Sequence, residues 1–284
     1  MAPRTWFITG ASGGFGRAWS EAALARGERV AAAARNPAVL EDLVAEFGEA
    51  VLPLRLDVTE RDAVTAAVGA AHERFGRLDV VVNNAGYGLG GMVEEAGEEE
   101  FRAQLETNFL GSLWVIQAAL PFLREQGAGH LIQVSSIGGI AAFPGLGLYN
   151  ASKWAVEGMV ESLAAEVAPF GIRVTLVEPG GFDTGASAAA AQTEPLAAYD
   201  EFRAEARRRA GERRAVLGDP RASAAALLRV VEAEEAPLRT FFGSAPLAIA
   251  EADYAKRLAL WREWQPVAAL AQGEADPAGA KAAG

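Results

Sequence analysis

Two residues with matching chemistry stand four positions apart in the sequence, Tyr149 and Lys153. Positions i and i+4 lie on the same face of an α-helix, so both side chains are predicted to face one cleft. A free phenol titrates at about pH 10, and a neighbouring positive charge lowers that pKa. We therefore predict a phenol that exchanges protons near neutral pH, as general acid–base catalysis requires.

The choice of lysine at position 153 supports this interpretation. Of the 26 basic residues only three are lysines, and the others are arginines. A compact ammonium beside a phenol is not replaced by a guanidinium. Ser136 ends a predicted strand thirteen residues before Tyr149, where its hydroxyl is placed to bind a substrate oxygen. The alternatives are an ordinary surface lysine and a serine that serves only in a turn.

A glycine-rich stretch follows the first predicted strand and precedes a predicted helix. Its residues are Thr9-Gly10-Ala11-Ser12-Gly13-Gly14-Phe15-Gly16. Glycine allows a tight turn and lets a phosphate approach the backbone, and the N-terminus of the helix offers free N–H groups. In this context the stretch predicts a dinucleotide site, with a plain flexible turn as the alternative.

The second predicted strand ends in Ala33-Ala34-Arg35-Asn36. Sheets that bind NAD usually place an acidic residue here for the ribose 2′-hydroxyl, whereas a nearby arginine suits the 2′-phosphate of NADP. Ala34 has no carboxylate, and Arg35 carries a fixed positive charge. The sequence therefore favours NADP over NAD, unless Arg35 merely faces solvent.

The elements that must position these residues alternate between short apolar runs and helical stretches. Strands are predicted at 6–9, 29–34, 51–56, 78–82, 130–134 and 172–177. Helices are predicted at 14–26, 37–47, 60–75, within 98–124 and at 149–169. Such alternation is typical of an α/β fold with a doubly wound parallel sheet of the Rossmann type, which binds ligands at the carboxyl ends of its strands.

The pattern changes beyond residue 178. We expect a lid at about 184–215, additional helices at 220–234 and 247–264, and a disordered tail at 271–284, so that residues 1–270 form one domain. The helix at 247–264 is amphipathic, and its Trp261 and Trp264 are predicted to pack against the domain or a partner subunit. The apolar stripe of Val160, Leu163, Ala164 and Val167 faces either the sheet or a second subunit.

Composition excludes several classes of protein. The net charge is −11, which gives no general attraction to nucleic acids or anionic membranes. The chain has no cysteine, so disulfides, thiolate zinc sites and cysteine nucleophiles are absent, and its two histidines are too far apart to predict a metal site. The first strand starts near Met1, and no apolar run reaches transmembrane length, so we expect a cytoplasmic protein.

Taken together, these motifs resemble the classical short-chain dehydrogenase/reductase family from about residue 5 to residue 184. The motifs that carry the resemblance are the glycine stretch at 9–16, Asp57-Val58, Asn83-Asn84-Ala85-Gly86, Asn108, Ser136, Tyr149, Lys153, and Pro179-Gly180-Gly181-Phe182-Asp183-Thr184. The resemblance implies a Rossmann-type fold and hydride transfer with a nicotinamide cofactor.

The resemblance also implies a role for each catalytic residue. Tyr149 is the acid and base that exchanges a proton with the substrate oxygen. Lys153 lowers the pKa of Tyr149 and holds the nicotinamide ribose, Ser136 orients the substrate oxygen, and Asn108 supports a water-linked proton relay through Lys153. The implied cofactor-binding residues are Gly10, Ser12, Gly14, Phe15, Gly16, Arg35, Asp57, Val58, Asn84, Ala85, Gly86, Tyr149, Lys153, Pro179, Gly180, Phe182 and Thr184.

The sequence therefore predicts an NADP(H)-dependent oxidoreductase that interconverts a secondary alcohol and a ketone. Residues 149–158 are similar to those of the branch with estradiol-type hydroxysteroid and retinol dehydrogenases, and of bacterial oxidoreductases of unassigned substrate, which suggests an apolar substrate. Phe143, Leu146, Leu89 and Met92 are candidates for its pocket. A homodimer or homotetramer is implied. The alternatives are a non-catalytic NADP-binding sensor that binds a protein partner, and an epimerase or dehydratase that recycles its bound cofactor.

Overall fold

Seven parallel strands form the central sheet of the computed structural model, which describes residues 3–185, 191–212 and 217–273. In chain order the strands of the molecule are β1 (Thr5–Thr9), β2 (Arg29–Ala34), β3 (Val51–Arg55), β4 (Val80–Asn83), β5 (Leu89–Gly90), β6 (Gly129–Val134), β7 (Ile172–Pro179), β8 (Ala191–Gln192) and β9 (Arg239–Phe242). The sheet has the order β3-β2-β1-β4-β6-β7-β9, and β5 pairs with β8 in a separate two-stranded sheet. The predicted doubly wound fold is confirmed.

Helices cover both faces of this sheet. They are α1 (Gly14–Ala25), α2 (Glu41–Phe47), α3 (Arg61–Phe75), α4 (Glu98–Leu105), α5 (Gly111–Gln126), α6 (Gly147–Val167), α7 (Asp200–Glu212), α8 (Pro220–Glu232), α9 (Pro246–Glu263) and α10 (Gln265–Ala271). The helical stretch predicted within 98–124 is divided, because a π-helical turn at Glu106–Leu110 separates α4 from α5. No helix in the described part of the chain is long and apolar enough to cross a bilayer.

The core consists of two apolar layers, one on each face of the sheet. Along β1, Phe7 faces the layer that holds α3, α5 and α6, whereas Trp6 and Ile8 face the layer that holds α1 and α8. This is the alternation expected of a strand that is buried on both faces. The alanines of β2 are poor strand formers, but they pair with β1 and β3 on either side and are fully buried, so tertiary packing overrides propensity.

The apolar stripe of α6 faces the sheet. Val160, Leu163 and Val167 are buried in the same layer as α3 and α5, so this stripe does not form a subunit surface. The last helices differ from the prediction, because Trp261 and Trp264 are each 58% exposed and do not pack against the domain. Packing of these two side chains against a partner subunit stays a prediction.

Parts of the remaining predictions fall outside the described residues. The lid predicted at 184–215 includes 186–190 and 213–215, and the tail predicted at 271–284 includes 274–284, all outside the described residues. Within the described part, α10 extends to Ala271.

His130 is a buried histidine on β6, and we therefore expect acid to destabilise the fold. Burial, with a smaller contribution from the nearby Arg173, lowers the pKa of His130 to about 3, whereas the unfolded chain has the ordinary value of about 6.5. Between these two values the unfolded state binds more protons, so the free energy of unfolding falls as the pH falls, by up to about 1.4 kcal/mol per pH unit. Urea titrations between pH 7 and pH 4 should show this slope reduced in His130→Gln and unchanged in His72→Gln. An equal slope in all three proteins would contradict it.

Candidate active site

Ser136 and Tyr149 meet at the carboxyl end of β6, where the sheet opens towards the start of α6. Ser136 Oγ accepts a hydrogen bond of 3.0 Å from the Gly138 backbone N–H. A Cβ atom at Gly138 would lie 3.1 Å from Tyr149 Cε1 and 3.3 Å from Ser136 Oγ. The glycine therefore allows the turn after β6 to pack closely against both hydroxyl-bearing side chains.

The phenol of Tyr149 is held in its neutral form. Burial raises the pKa of Tyr149, and the nearby Ser136 hydroxyl counteracts this rise only in part. Lys153 Nζ lies 6.0 Å from the centre of the Tyr149 ring. The expected lowering of the phenol pKa by Lys153 stays a prediction. A neutral phenol is the form that a general acid needs to donate a proton.

Lys153 lies one helical turn beyond Tyr149 and is buried. Its Nζ donates a hydrogen bond of 3.1 Å to the carbonyl of Val134, the last residue of β6. Burial lowers the pKa of Lys153 to about 8, and the nearby carboxyl of Glu157 acts in the opposite direction. The ammonium therefore keeps its charge at neutral pH and loses it in mild alkali.

Asn108 lies in the π-helical turn between α4 and α5, a feature that is frequent at functional sites. Its Oδ1 accepts a hydrogen bond of 3.0 Å from Tyr87 N, and its Nδ2 donates bonds of 3.0 Å to Tyr87 O and to Ser152 Oγ. The backbone carbonyl of Asn108 accepts a 3.0 Å bond from Ser112 Oγ. Through these hydrogen bonds Asn108 connects the segment that follows β4 with helix α6. Its role in a proton relay stays a prediction.

The glycine stretch forms a tight loop between β1 and α1. Gly10 and Gly14 have φ values of +65° and +52°, a region that favours glycine. A Cβ at Gly16 would lie 2.6 Å from Asn84 Nδ2 and closer still to the Gly10 carbonyl oxygen. Asn84 Nδ2 itself donates hydrogen bonds of 2.9 and 3.2 Å to Thr9 O and Gly10 O. These positions therefore have no room for a side chain.

Thr9 organises the same loop and was missed by the sequence interpretation as a functional residue. Its Oγ1 accepts hydrogen bonds of 2.9 Å from Asn84 N and 3.0 Å from Ala85 N. The predicted contact residues Asn84, Ala85 and Gly86 follow β4 directly, so Thr9 fixes them beside the glycine loop. A Cβ at Gly86 would lie 3.7 Å from Lys153 Nζ, which places this segment beside Lys153.

Arg35 and Ser12 are exposed near the carboxyl ends of β2 and β1. In the described part of the chain, Arg35 has no ion pair or side-chain hydrogen bond. Asp57 accepts hydrogen bonds of 3.1 and 2.8 Å from the N–H and hydroxyl of Thr59. Val58 is buried against α5, since a Cβ at Gly111 would lie 2.7 Å from Val58 Cγ2. The structure thus leaves Arg35 available to a ligand and gives Asp57 a role in its own turn.

Residues 179–184 connect β7 to the glycine loop. Gly180 N donates a hydrogen bond of 2.9 Å to Phe242 O on β9. The ring of Phe182 meets the ring of Phe15 with centres 4.9 Å apart, and a Cβ at Gly14 would lie 3.0 Å from Thr184 Cβ. The predicted contact residue Phe182 therefore lies beside Phe15, and Thr184 lies beside Gly14. The predicted residue Pro179 ends β7, directly before this segment.

Two sets of contacts hold the described part of the predicted lid beside this cleft. The first is the pairing of β5 with β8, in which Ala191 N and Thr193 N donate hydrogen bonds of 3.0 and 2.9 Å to the carbonyls of Gly88 and Gly90. The second is the carboxylate of Glu95, which is 1% exposed and binds Arg203 of α7 and Leu196 N. The sequence interpretation missed Glu95 because its partners are about a hundred residues away.

The sequence profile of the short chain dehydrogenase family matches residues 4–195. The chain belongs to this family. A short-chain dehydrogenase from Streptomyces avermitilis has a similar crystal structure, with 38% identity and a TM-score of 0.87 over 94% of this chain and 98% of that one.

Two further short-chain dehydrogenases with solved structures carry different cofactors. The protein from Burkholderia cenocepacia, in complex with NADP, is 29% identical with a TM-score of 0.73 over 92% of this chain and 97% of that one. The protein from Burkholderia phymatum, in complex with NAD, is 26% identical with a TM-score of 0.75 over 88% of this chain and 92% of that one. Similarity to these two structures therefore does not decide between NADP and NAD, and the preference depends on individual residues.

The cleft of this short-chain dehydrogenase fits a dinucleotide. The N-cap residue of α1, Gly13, makes no side-chain capping bond, and the first turn of α1 has no acidic residue. The free N–H groups and the positive end of the helix dipole therefore face a loop without side chains at Gly10, Gly14 and Gly16. Among the described residues, no cluster of histidine and carboxylate side chains could hold a metal ion.

Proposed function

We propose that this chain is an NADP(H)-dependent oxidoreductase that interconverts a secondary alcohol and a ketone on an apolar small molecule. The observation that carries the proposal is the packing of Ser136 and Tyr149 against the same glycine, Gly138, beside the buried Lys153. All three lie at the end of the sheet where the glycine loop lies. This arrangement supplies a neutral proton donor, a second hydroxyl and a fixed positive charge around one position.

Each of these residues has a distinct task in the proposed reaction. The bound nicotinamide supplies or accepts the hydride. Ser136 Oγ binds the substrate oxygen, and Tyr149 Oη donates the proton that converts a ketone oxygen into a hydroxyl. Lys153 stabilises the negative charge left on the phenol oxygen. Burial favours the neutral phenol, which is the form that donates this proton.

An apolar substrate is supported by the side chains near the carboxyl ends of the strands. Phe143 packs with the buried residues Ile137, Ile140 and Ala250 in a small separate cluster. Leu89 is buried on β5, and Met92 and Leu146 are partly buried beside it. These residues offer an apolar wall to a ligand bound at Ser136 and Tyr149.

The proposed preference for NADPH depends on Arg35. Replacing Arg35 by alanine should raise the Kd for NADPH by about 10- to 100-fold, since charge-assisted hydrogen bonds from arginine to phosphate are worth about 1.5–3 kcal/mol. The Kd for NADH should stay unchanged, because NADH has no 2′-phosphate. Fluorescence titration of the purified protein with each nucleotide measures both constants.

The same titration tests the proposal as a whole. Arg124→Ala, which removes an exposed arginine at the end of α5, serves as the charge-matched control. Equal affinity of the unaltered protein for NADPH and NADH would overturn the NADP preference. Binding of neither nucleotide would overturn the oxidoreductase proposal. A net change in free NADPH with a ketone substrate separates this function from that of an epimerase, a dehydratase or a sensor.

A homodimer or homotetramer in the cytoplasm completes the proposal. The exposed apolar side chains on α9 and α10, which include Trp261 and Trp264, support contact with a second subunit. The cytoplasmic location is supported by the proposed cofactor, which cells keep reduced.

A further inference from the structure

A buried cluster of charged residues lies behind Lys153. It consists of Glu157 on α6, Glu178 on β7 and Arg239 on β9. Arg239 Nη1 donates a hydrogen bond of 2.9 Å to Glu178 Oε1 and a second to Glu157 Oε2. The side chains of Glu157 and Glu178 are only 7% and 1% exposed. One guanidinium therefore binds two carboxyl groups inside the domain.

Two buried carboxyl groups that share one cation do not ionise independently. Burial and the neighbouring Glu157 raise the pKa of Glu178 to about 7. Burial also raises the pKa of Glu157, but Arg239 and Lys153 both favour its ionised form. Arg239 and Lys153 thus favour the ionised form of Glu157, whereas burial and Glu157 favour the protonated form of Glu178.

The cluster contacts the active site through one short turn. A Cβ at Gly139 would lie 2.8 Å from Ser135 Oγ and 2.9 Å from Glu157 Cγ, so the turn after β6 packs against the Glu157 side chain. One residue earlier, the same turn packs against Tyr149 at Gly138. Glu157 is also one helical turn beyond Lys153, on the face that Lys153 shares with Tyr149.

Glu157 is the only carboxylate that acts on the Lys153 pKa among the described residues, and it raises that pKa against the effect of burial. We propose that Glu157 is a positioning residue for the Lys153 ammonium, and that Arg239 and Glu178 hold its carboxylate in place. The pair thereby sets the pH at which the active site loses its positive charge. The kinetic part of this inference rests on the proposed function, whereas its electrostatic part does not.

The other charged groups near the cluster have partners of their own. Glu161, on the next turn of α6, binds Arg239 Nη2 at 2.8 Å and its side chain is 62% exposed. On α9, Arg257 forms an ion pair of 2.6 Å with Asp253 and contacts the ring of Trp154. Glu161 therefore provides a matched control, because it binds the same arginine without being buried.

The direct test is a titration of the lysine side chain by NMR. The chain has three lysines, so protein with isotope-labelled lysine Cε gives a small set of signals that Lys256→Arg and Lys281→Arg assign. Glu157→Gln should lower the pKa of Lys153 by about one unit. Glu161→Gln should leave the pKa of Lys153 unchanged. Glu157→Asp keeps a carboxylate, so the pKa of Lys153 should stay close to its value in the parent protein. Thermal unfolding of each variant verifies that it is folded.

The outcomes separate this inference from the proposed function. An unchanged pKa of Lys153 in folded Glu157→Gln overturns the inference, whether or not the protein turns over a substrate. An equal shift in Glu161→Gln also overturns it, since the effect would then come from Arg239 alone. If the protein reduces a ketone, kcat/KM of Glu157→Gln should fall about tenfold at pH 9 and less than twofold at pH 6, as follows from a one-unit shift of a pKa near 8.

Discussion

Replacing Tyr149 by phenylalanine should lower kcat for carbonyl reduction by about 10²–10⁴-fold, the range that general acid–base catalysis contributes. The substitution removes only the phenolic oxygen, which is the proposed proton donor. The ring that packs against Gly138 remains, so the turn after β6 keeps its position. The Kd for NADPH should change little, since the glycine loop and Arg35 are untouched. Single-turnover kinetics with a ketone and fluorescence titration give the two constants.

Tyr254→Phe is the matched control for this experiment. Tyr254 lies on α9, where its ring is exposed and contacts Arg257 away from the cleft. Its phenylalanine variant should retain full turnover. Retained turnover in Tyr149→Phe would exclude Tyr149 as the proton donor, and joint loss of turnover and NADPH binding would point to damage of the site as a whole.

Replacing Gly16 by alanine should weaken the binding of both NADPH and NADH by at least about tenfold. The new methyl group would lie 2.6 Å from Asn84 Nδ2 and closer to the Gly10 carbonyl, so the loop has to move away from Asn84. That movement breaks the hydrogen bonds that hold the loop at the N-terminus of α1. Overpacking of this kind also lowers the free energy of unfolding by about 1–3 kcal/mol. Nucleotide titration and urea unfolding measure these two effects.

Gly13→Ala provides a control within the same loop. Gly13 has extended backbone geometry with φ of −168°, and a Cβ atom there would have no neighbour within 4 Å. This variant should keep the stability of the parent protein and bind nucleotide within a few-fold of it. Equal effects at Gly13 and Gly16 would show that the loop responds to any added side chain, and that the contact with Asn84 is not the cause.

Most of the fold follows from local patterns in the sequence. The apolar runs at 80–82 and 174–177 are typical of strands buried on both faces, and both are central strands of the sheet. The π-helical turn at Glu106–Leu110 was not predicted, because it inserts one residue into a helix without a change in composition. The orientation of Val160 was left open, since a helical period marks an apolar face but not the neighbour that covers it.

In the active site too, contacts between residues close in sequence were predictable, whereas contacts between distant residues were not. Tyr149 and Lys153 share one helix, so their spacing alone predicts their common face. The direction of the Tyr149 pKa shift depends on burial, which no spacing shows. Glu157 stands within the stretch 149–158 and Glu178 directly precedes the motif at 179–184, but their pairing requires Arg239, which the sheet brings beside β7.

The pairing of β5 with β8 has a consequence for how new specificities arise. Its hydrogen bonds use main-chain atoms of Gly88, Gly90, Ala191 and Thr193. The close contacts of Gly90 and Gly91 with Gln192 and Thr193 require glycine on the β5 side, whereas the hydrogen bonds require no particular side chain on the β8 side. Substitutions around 191–199 therefore alter the surface offered to a substrate while the attachment of the segment persists. Such a segment is a suitable target for directed evolution, because diversity can be introduced there without a matching change in the catalytic residues.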